Sequence, residues 1–221
     1  MSIRVDVVSI GTLAKNLLWN EQRPVRTAHA TCSVIRTAKR TILVDPGLPA
    51  VVIVQRLKER LNLSPDDITD VFITHVSPVT TRGLDAFADA AVFTHELEIE
   101  HMQKHLESAG DTGSAADNEL LNIVVDRLKP APDKLAPGVD LYPLFGFTPG
   151  TSGLLVVAPV NTTLLTGPAV ATREHYLAGQ ILPESVDYKT ARESLAEVLE
   201  IAEIIVPGFD NFFLSPRQFG A

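Results

Sequence analysis

The order in which strand-like and helix-like segments follow one another is what most limits the folds open to this chain. Ile3 to Ile10, Thr31 to Arg36 and Thr41 to Val44 are short β-branched runs. The polar Thr37-Ala-Lys-Arg40 between the last two predicts a hairpin. Val51, Val54, Leu57 and Leu61 then recur at helical spacing among charged residues, which predicts an amphipathic helix. Ser64-Pro65-Asp66-Asp67 is a capped turn by composition, and Val71 to Thr74 is a compact buried-strand signal with His75 at its C-terminal end. Gly83 to Ala88 predicts a short helix and Ala91 to Phe93 a strand. Thr94 is expected to cap a helix to Leu106, with Ile99, Met102 and Leu106 on its apolar face. Small polar residues from Glu107 to Asp117 predict a mobile loop, Glu119 to Leu128 a helix, and Pro130 to Pro137 a connector.

The last third is β-rich. Val139 to Phe147, Leu154 to Ala158 and Thr162 to Thr166 read as strands. A capping box of Thr190 and Glu193 predicts a helix buried through Leu195, Val198, Leu199 and Ala202, and Ile204 to Val206 predicts a final strand. This mixed alternation implies an α/β chain with helices covering sheets. No linker composition divides the 221 residues, so one domain over 1–221 is expected.

Charge and cysteine content narrow the function classes. Nineteen Lys and Arg against 27 Asp and Glu give a net charge of −8, the wrong sign for a free-standing nucleic-acid binder. The lone Cys32 has no intrachain partner and reads as a small buried apolar residue. Arg4 and Asp6 interrupt the first apolar run, so no signal peptide is expected, and the longest apolar runs fall far short of a membrane span. A cytoplasmic protein without a membrane partner is the expectation.

Four segments bring chemistry into view: Thr41 to Pro49 with Asp45-Pro46-Gly47; Asp67 to Gly83 with Thr74-His75; Phe147 to Gly153 followed by Leu164 to Val170; and Ile205 to Asn211 with Pro207-Gly208. In order, spacing and flanks, from roughly Thr31 to Phe212, they resemble the metallo-β-lactamase-fold hydrolases. The resemblance implies an αββα sandwich: two mixed sheets face to face with helices on both outer faces. It also implies a site in which Thr-His-x-His-x-Asp-His, a Pro-Gly-His, a Thr-Gly-Asp and a second Pro-Gly-His hold one or two metals, usually zinc. Zinc takes imidazole nitrogen and carboxylate oxygen and activates a water.

Carried over residue by residue, His75 matches the first histidine. Ser77 stands at the second, Val79 at the aspartate, Thr80 at the next histidine, Thr151 at the Pro-Gly-His histidine, Pro168 at the bridging aspartate and Phe209 at the last histidine. Asp45 matches the aspartate of the turn that supports the site from behind. One imidazole does not make a catalytic zinc site. The expectation is therefore a family member without the zinc-type dinuclear centre and with no metal ligands, probed at a pocket of Asp45, His75, Ser77, Val79, Thr80, Thr151, Pro168 and Phe209. Phe209, turned inward, would add burial.

Two functions follow from this. One is a non-catalytic relative that binds a small molecule in the cleft or serves as a partner subunit, with self-association into a homo-oligomer left open. The other is a hydrolase of esters, thioesters or amides with altered chemistry, using His75 with a hydroxyl such as Ser77, Thr80, Thr81 or Thr151, or a metal held elsewhere. Apart from that role His75 reads as a hydrogen-bonded histidine at a strand end. His101, His105 and Glu98 read as a solvated helix face, His95 as a capping or surface residue, and His29 and His175 show no partner in sequence.

Overall fold

The computed structural model describes residues 3–109 and 115–216. Its strands form two six-stranded sheets. The first runs β1 (Arg4–Ser9), β2 (Cys32–Arg36), β3 (Thr41–Val44), β4 (Asp70–Phe72), β5 (Ala91–Thr94) and β6 (Leu128–Pro130), side by side in chain order. β1, β2 and β3 are antiparallel; β3 to β6 are parallel. The second holds β7 (Lys134–Ala136), β8 (Val139–Pro143), β9 (Ser152–Val157), β10 (Thr162–Gly167), β11 (Ile204–Pro207) and β12 (Phe213–Leu214) in the order β12-β11-β10-β9-β8-β7, with β10 and β11 parallel. The helices are α1 (Ala50–Leu61), α2 (Pro78–Thr81), α3 (Glu96–Ala109), α4 (Ala115–Arg127), α5 (Arg173–Ala178) and α6 (Tyr188–Ile201).

Strand alternation generates the layers. In the first sheet Val34, Leu43, Val71 and Val92 point to one side and pack with Ile53 and Leu57 of α1, Met102 of α3 and Val125 of α4. Their neighbours Ile35, Ile42, Val44 and Phe72 point the other way and meet Val139, Leu154, Val156, Leu165 and Val206 of the second sheet. Leu164 and Ile205, next to Leu165 and Val206, turn outward onto Leu195 and Val198 of α6. A period of two thus sends successive residues to opposite faces, and two sheets with one shared face and two helix-covered faces make four layers. This is the αββα sandwich expected from the motifs. Each buried aliphatic or Phe side chain contributes about 1.5–3 kcal/mol.

Several local expectations are corrected. Val51 is 74% exposed, and Ile53 replaces it in the α1 stripe. At 100° per residue Val51 lies roughly 160° round the helix from Ile53, whereas Leu57 lies about 40° away. Thr94 does not cap α3. It ends β5 with its hydroxyl buried and unpartnered, and Nδ1 of His95 accepts the Leu97 N–H at 3.1 Å. α6 starts at Tyr188, ahead of the Thr190–Glu193 pair, because the Asp187 carboxylate accepts both the Thr190 N–H (3.0 Å) and its hydroxyl (2.8 Å). The side chain of Leu199 lies outside the described residues.

β6, which ends at Pro130, and β7, inside the connector expected over Pro130 to Pro137, are the edge strands of the two sheets, and an edge position tolerates the missing N–H of Pro130. β8 ends at Pro143, short of Phe147, and α5 and β12 carried no sequence signal. Of the loop expected over Glu107 to Asp117, residues 107–109 belong to α3 and 115–117 to α4, α4 ends at Arg127 so that Leu128 opens β6, and 110–114 lie outside the described residues. Cys32 is buried, and burial pushes its thiol well above the ordinary range. Among the described residues no helix is long and apolar enough to cross a membrane.

Candidate functional site

The four segments singled out in sequence meet at one end of the sandwich, each at a strand terminus. β3 delivers Asp45, β4 delivers Thr74 and His75, the turn into β9 delivers Thr151, β10 delivers Pro168 and β11 delivers Phe209. Backbone bonds tie them together: Ser152 N–H to the Thr74 carbonyl (3.0 Å), Phe209 N–H to the Ala171 carbonyl (2.8 Å), Thr31 N–H to the Gly208 carbonyl (2.7 Å) and Ala30 N–H to the Val79 carbonyl (2.8 Å). Two glycines let the loops close. A Cβ on Gly47 would lie 1.7 Å from the Val79 carbonyl oxygen, and Gly167, at φ +53°, would press a Cβ to 2.5 Å of the Thr74 hydroxyl.

The polar half of the site is a chain of hydrogen bonds. Asp45 is 2% exposed, in a left-handed conformation at φ 49°. One of its oxygens accepts the Thr74 N–H at 2.9 Å and the other the Thr74 hydroxyl at 2.8 Å. Burial outweighs these bonds and raises its carboxyl to about 7. Thr74 Oγ1 lies 3.3 Å from His75 Nδ1, and Ser77 Oγ 3.0 Å from His75 Nε2. His75 is buried, its ring meeting that of Phe147 edge-on at 5.1 Å. Burial drives its pKa down to about 3, so the imidazole is neutral at working pH. Thr80, fully buried, donates its hydroxyl to the His75 carbonyl at 2.7 Å and holds the turn.

Glu98 was expected on a solvated face, and the structure corrects this: it is 0% exposed. One carboxylate oxygen accepts the Val76 N–H at 2.8 Å and the other the Thr148 hydroxyl at 2.6 Å. Thr148 in turn stands 2.6 Å from the buried Thr151 hydroxyl. Glu98 therefore fastens the His75 loop to the Thr151 loop, and burial raises its pKa. Sequence spacing places Glu98 four residues before Met102, on the apolar stripe, but does not name the donors that let a carboxylate be buried there. His105 is exposed and His101 half-buried, as on a helix flank. His175 is buried with Nδ1 2.9 Å from the Thr172 hydroxyl, and His29 bonds to the Thr27 and Ile10 carbonyls.

The other half of the site is apolar. Phe209, 7% exposed, packs with Ala171 and Leu182 and against Leu13, Val79 and Phe147. Pro168 is buried at the end of β10. Above Val79, Phe147 and Phe209 opens a cleft of about 350 Å³, walled by Leu13, Leu17, Ile181 and Leu182 with Lys15, His175, Gln180 and Glu184 also in its lining. A second cavity, of about 690 Å³, lies among α2, α3 and α4 and includes Ser77 in its lining.

These donors do not fit the metal centre that the resemblance implies. Both ring nitrogens of His75 face hydroxyls, both oxygens of Asp45 are on Thr74, and both of Glu98 are on the adjoining loops. Among the described residues no three His, Cys, Asp or Glu side chains gather as ligands, while catalytic zinc takes three from the protein.

Three solved structures show the same fold at low identity. A Thermotoga maritima chain assigned as a metallo-β-lactamase superposes with a TM-score of 0.72 at 17% identity, covering 97% of this chain and 100% of that one. A Staphylococcus aureus chain assigned as a metal-dependent hydrolase gives 0.72 at 14%, covering 95% and 90%. An N-acyl homoserine lactone hydrolase with N-hexanoyl-L-homoserine at its catalytic metal centre gives 0.63 at 17%, covering 90% and 87%. No curated protein sequence matches the chain. The family model of the metallo-β-lactamase superfamily matches residues 26–208, and with strand-end loops and layers as described the chain belongs to that superfamily.

Proposed function

We propose that this superfamily member does not carry out metal-dependent hydrolysis and instead holds a small, largely apolar molecule in the cleft over Val79, Phe147 and Phe209. The observation that carries this reading is Phe209: at a position where the resemblance places a metal ligand, an aromatic ring is packed against Val79 and Leu182 and floors the cleft. Fold alone does not assign the relatives' lactonase or hydrolase activity. On this reading the chain works as one cytoplasmic domain on small molecules, and its net charge of −8 speaks against a nucleic-acid partner.

The test is elemental analysis of protein dialysed against zinc and then buffer, alongside titration with the apolar fluorophore anilinonaphthalene sulfonate. Substoichiometric metal is expected, with saturable dye binding that Leu182→Arg abolishes. About one tightly held zinc per chain, released by His75→Ala, overturns the reading. The second reading, hydrolase-like chemistry based on His75, is favoured by one specific distance: 3.0 Å from its Nε2 to Ser77 Oγ.

A further inference from the structure

We propose that Ser77 is a serine nucleophile with His75 as its base, and that it accepts acyl groups from esters or thioesters whose apolar chain lies in the cavity among α2, α3 and α4. The inference rests on the metal-independent reading of the site.

With Asp45 ionised, above about pH 7, the hydrogen-bond chain assigns which atom carries which proton. The two oxygens of Asp45 accept from the N–H and the hydroxyl of Thr74. With its proton spent on Asp45, Thr74 Oγ1 presents a lone pair to His75 Nδ1 at 3.3 Å. His75 is then the tautomer protonated at Nδ1, and its bare Nε2 accepts from the Ser77 hydroxyl at 3.0 Å. Serine, neutral imidazole and a carboxylate that sets the tautomer are the parts of an activated hydroxyl, here with a threonine interposed before the carboxylate. Thr80 holds the His75 carbonyl, and Glu98 holds the Val76 N–H between the two residues, so the dyad stands on a fixed turn.

Ser77 is half-buried and lines the cavity of about 690 Å³. Val76, Leu84, Met102, Leu121 and Val124 make that lining apolar, and Arg82 adds a positive charge to it. An acyl chain suits such walls, and the guanidinium is the group suited to a developing oxyanion. In the step itself Ser77 Oγ bonds to the carbonyl carbon and its proton passes to His75 Nε2. The bond to the donor's oxygen or sulfur then breaks, and the leaving group departs with the electron pair and takes the proton from His75.

The experiment is intact-mass and peptide mapping of the full chain, kept in chelator and treated with dodecyl fluorophosphonate, whose phosphorus takes the place of the carbonyl carbon and whose fluoride leaves. One adduct per chain on Ser77 is expected, forming at least about tenfold faster than on N-acetylserinamide, less than a base matched to the working pH supplies because burial lowers the basicity of His75. Ser77→Ala should abolish the adduct. Leu121→Trp, which fills the cavity, should slow the dodecyl probe and spare a methyl one. His75→Gln should slow labelling about tenfold. An absent adduct at Ser77, or a rate equal to that of free serine, overturns the proposal, and neither result depends on a variant that must fold. A parallel sample with added zinc separates the two ideas: tightly bound zinc with zinc-dependent turnover unseats the metal-independent reading, whereas absent metal together with an unlabelled Ser77 unseats the nucleophile alone.

Discussion

Replacing Glu98 by alanine removes the acceptor from donors on two different loops, Val76 on one and Thr148 and Gly150 on the other. The Val76 N–H, 2.8 Å from one oxygen, would be left buried without a partner, which costs about 1–3 kcal/mol. Thr148 fares better, since its hydroxyl can turn to Thr151 at 2.6 Å. Loss of the side chain's packing at a site with no exposure adds to the first cost, and relief from burying a carboxylate subtracts from it. The expected net is about 2–4 kcal/mol of destabilisation, or roughly 4–16 °C in Tm for a chain of this size. Glu98→Gln should cost about 1 kcal/mol, because the amide oxygen can still serve Val76 while Thr148 reverses to accept from the amide nitrogen. Urea unfolding followed by circular dichroism and by Trp19 fluorescence measures both variants. A Glu98→Ala midpoint within about 0.5 kcal/mol of wild type would return Glu98 to a solvated helix face and refute the clamp.

Three further outcomes follow. Phe209→Ala should cost about 3 kcal/mol in chemical denaturation, the lower end for Phe because its ring already borders a cleft, and should raise anilinonaphthalene sulfonate binding. Gly47→Ala should destabilise far more than Gly179→Ala: the first drives a Cβ to 1.7 Å of the Val79 carbonyl oxygen, while the second meets nothing within 4 Å and costs about 1 kcal/mol for its φ of +62°. The pH dependence has two arms of opposite sign. His75, lowered from 6.5 to about 3, contributes stability fully present above pH 6.5 and lost as pH falls toward 3; Asp45, raised from 3.8 to about 7, contributes stability fully present below pH 3.8 and lost as pH rises toward 7. Denaturation midpoints across pH 4–8 should therefore show His75→Gln flattening the acid arm and Asp45→Asn the other.

What the sequence disclosed and what it withheld divide along physical lines. The strands were legible because short β-branched or wholly apolar runs such as Val34-Ile35 and Val71-Phe72 are a local signal, and such runs are buried on both faces, one in each core. The site's location was legible because Asp45-Pro46-Gly47, Pro149-Gly150 and Pro207-Gly208 mark strand ends. Glu98 was not, because a carboxylate on an apolar stripe is buried only if loops far along the chain supply donors, and Val76 and Thr148 lie 22 and 50 residues away. The β6 and β7 edge strands were hidden because they are three residues each and lie in a proline-rich stretch, with Pro130 inside β6 and Pro137 just past β7. The Ser77–His75 contact needed the turn that Thr80 locks, and no spacing rule supplies a side-chain distance.

The strand-end loops keep their geometry through hydrogen bonds and close glycine contacts within the chain. Gly47 exists for Val79's carbonyl, Gly167 for Thr74's hydroxyl, and Gly150 for the backbone of α3, where a Cβ would come within 2.0 Å of the Glu98 nitrogen. Asp45 and Glu98 are each spent on the backbone and hydroxyls of neighbouring loops. Glycines and prolines at these turns therefore report how the loops close, whatever stands at the ligand positions, and a motif match built on them reports fold before chemistry. Chemistry has to be read from the donors, and here they form one connected chain, Asp45–Thr74–His75–Ser77, whose last residue lines a cavity.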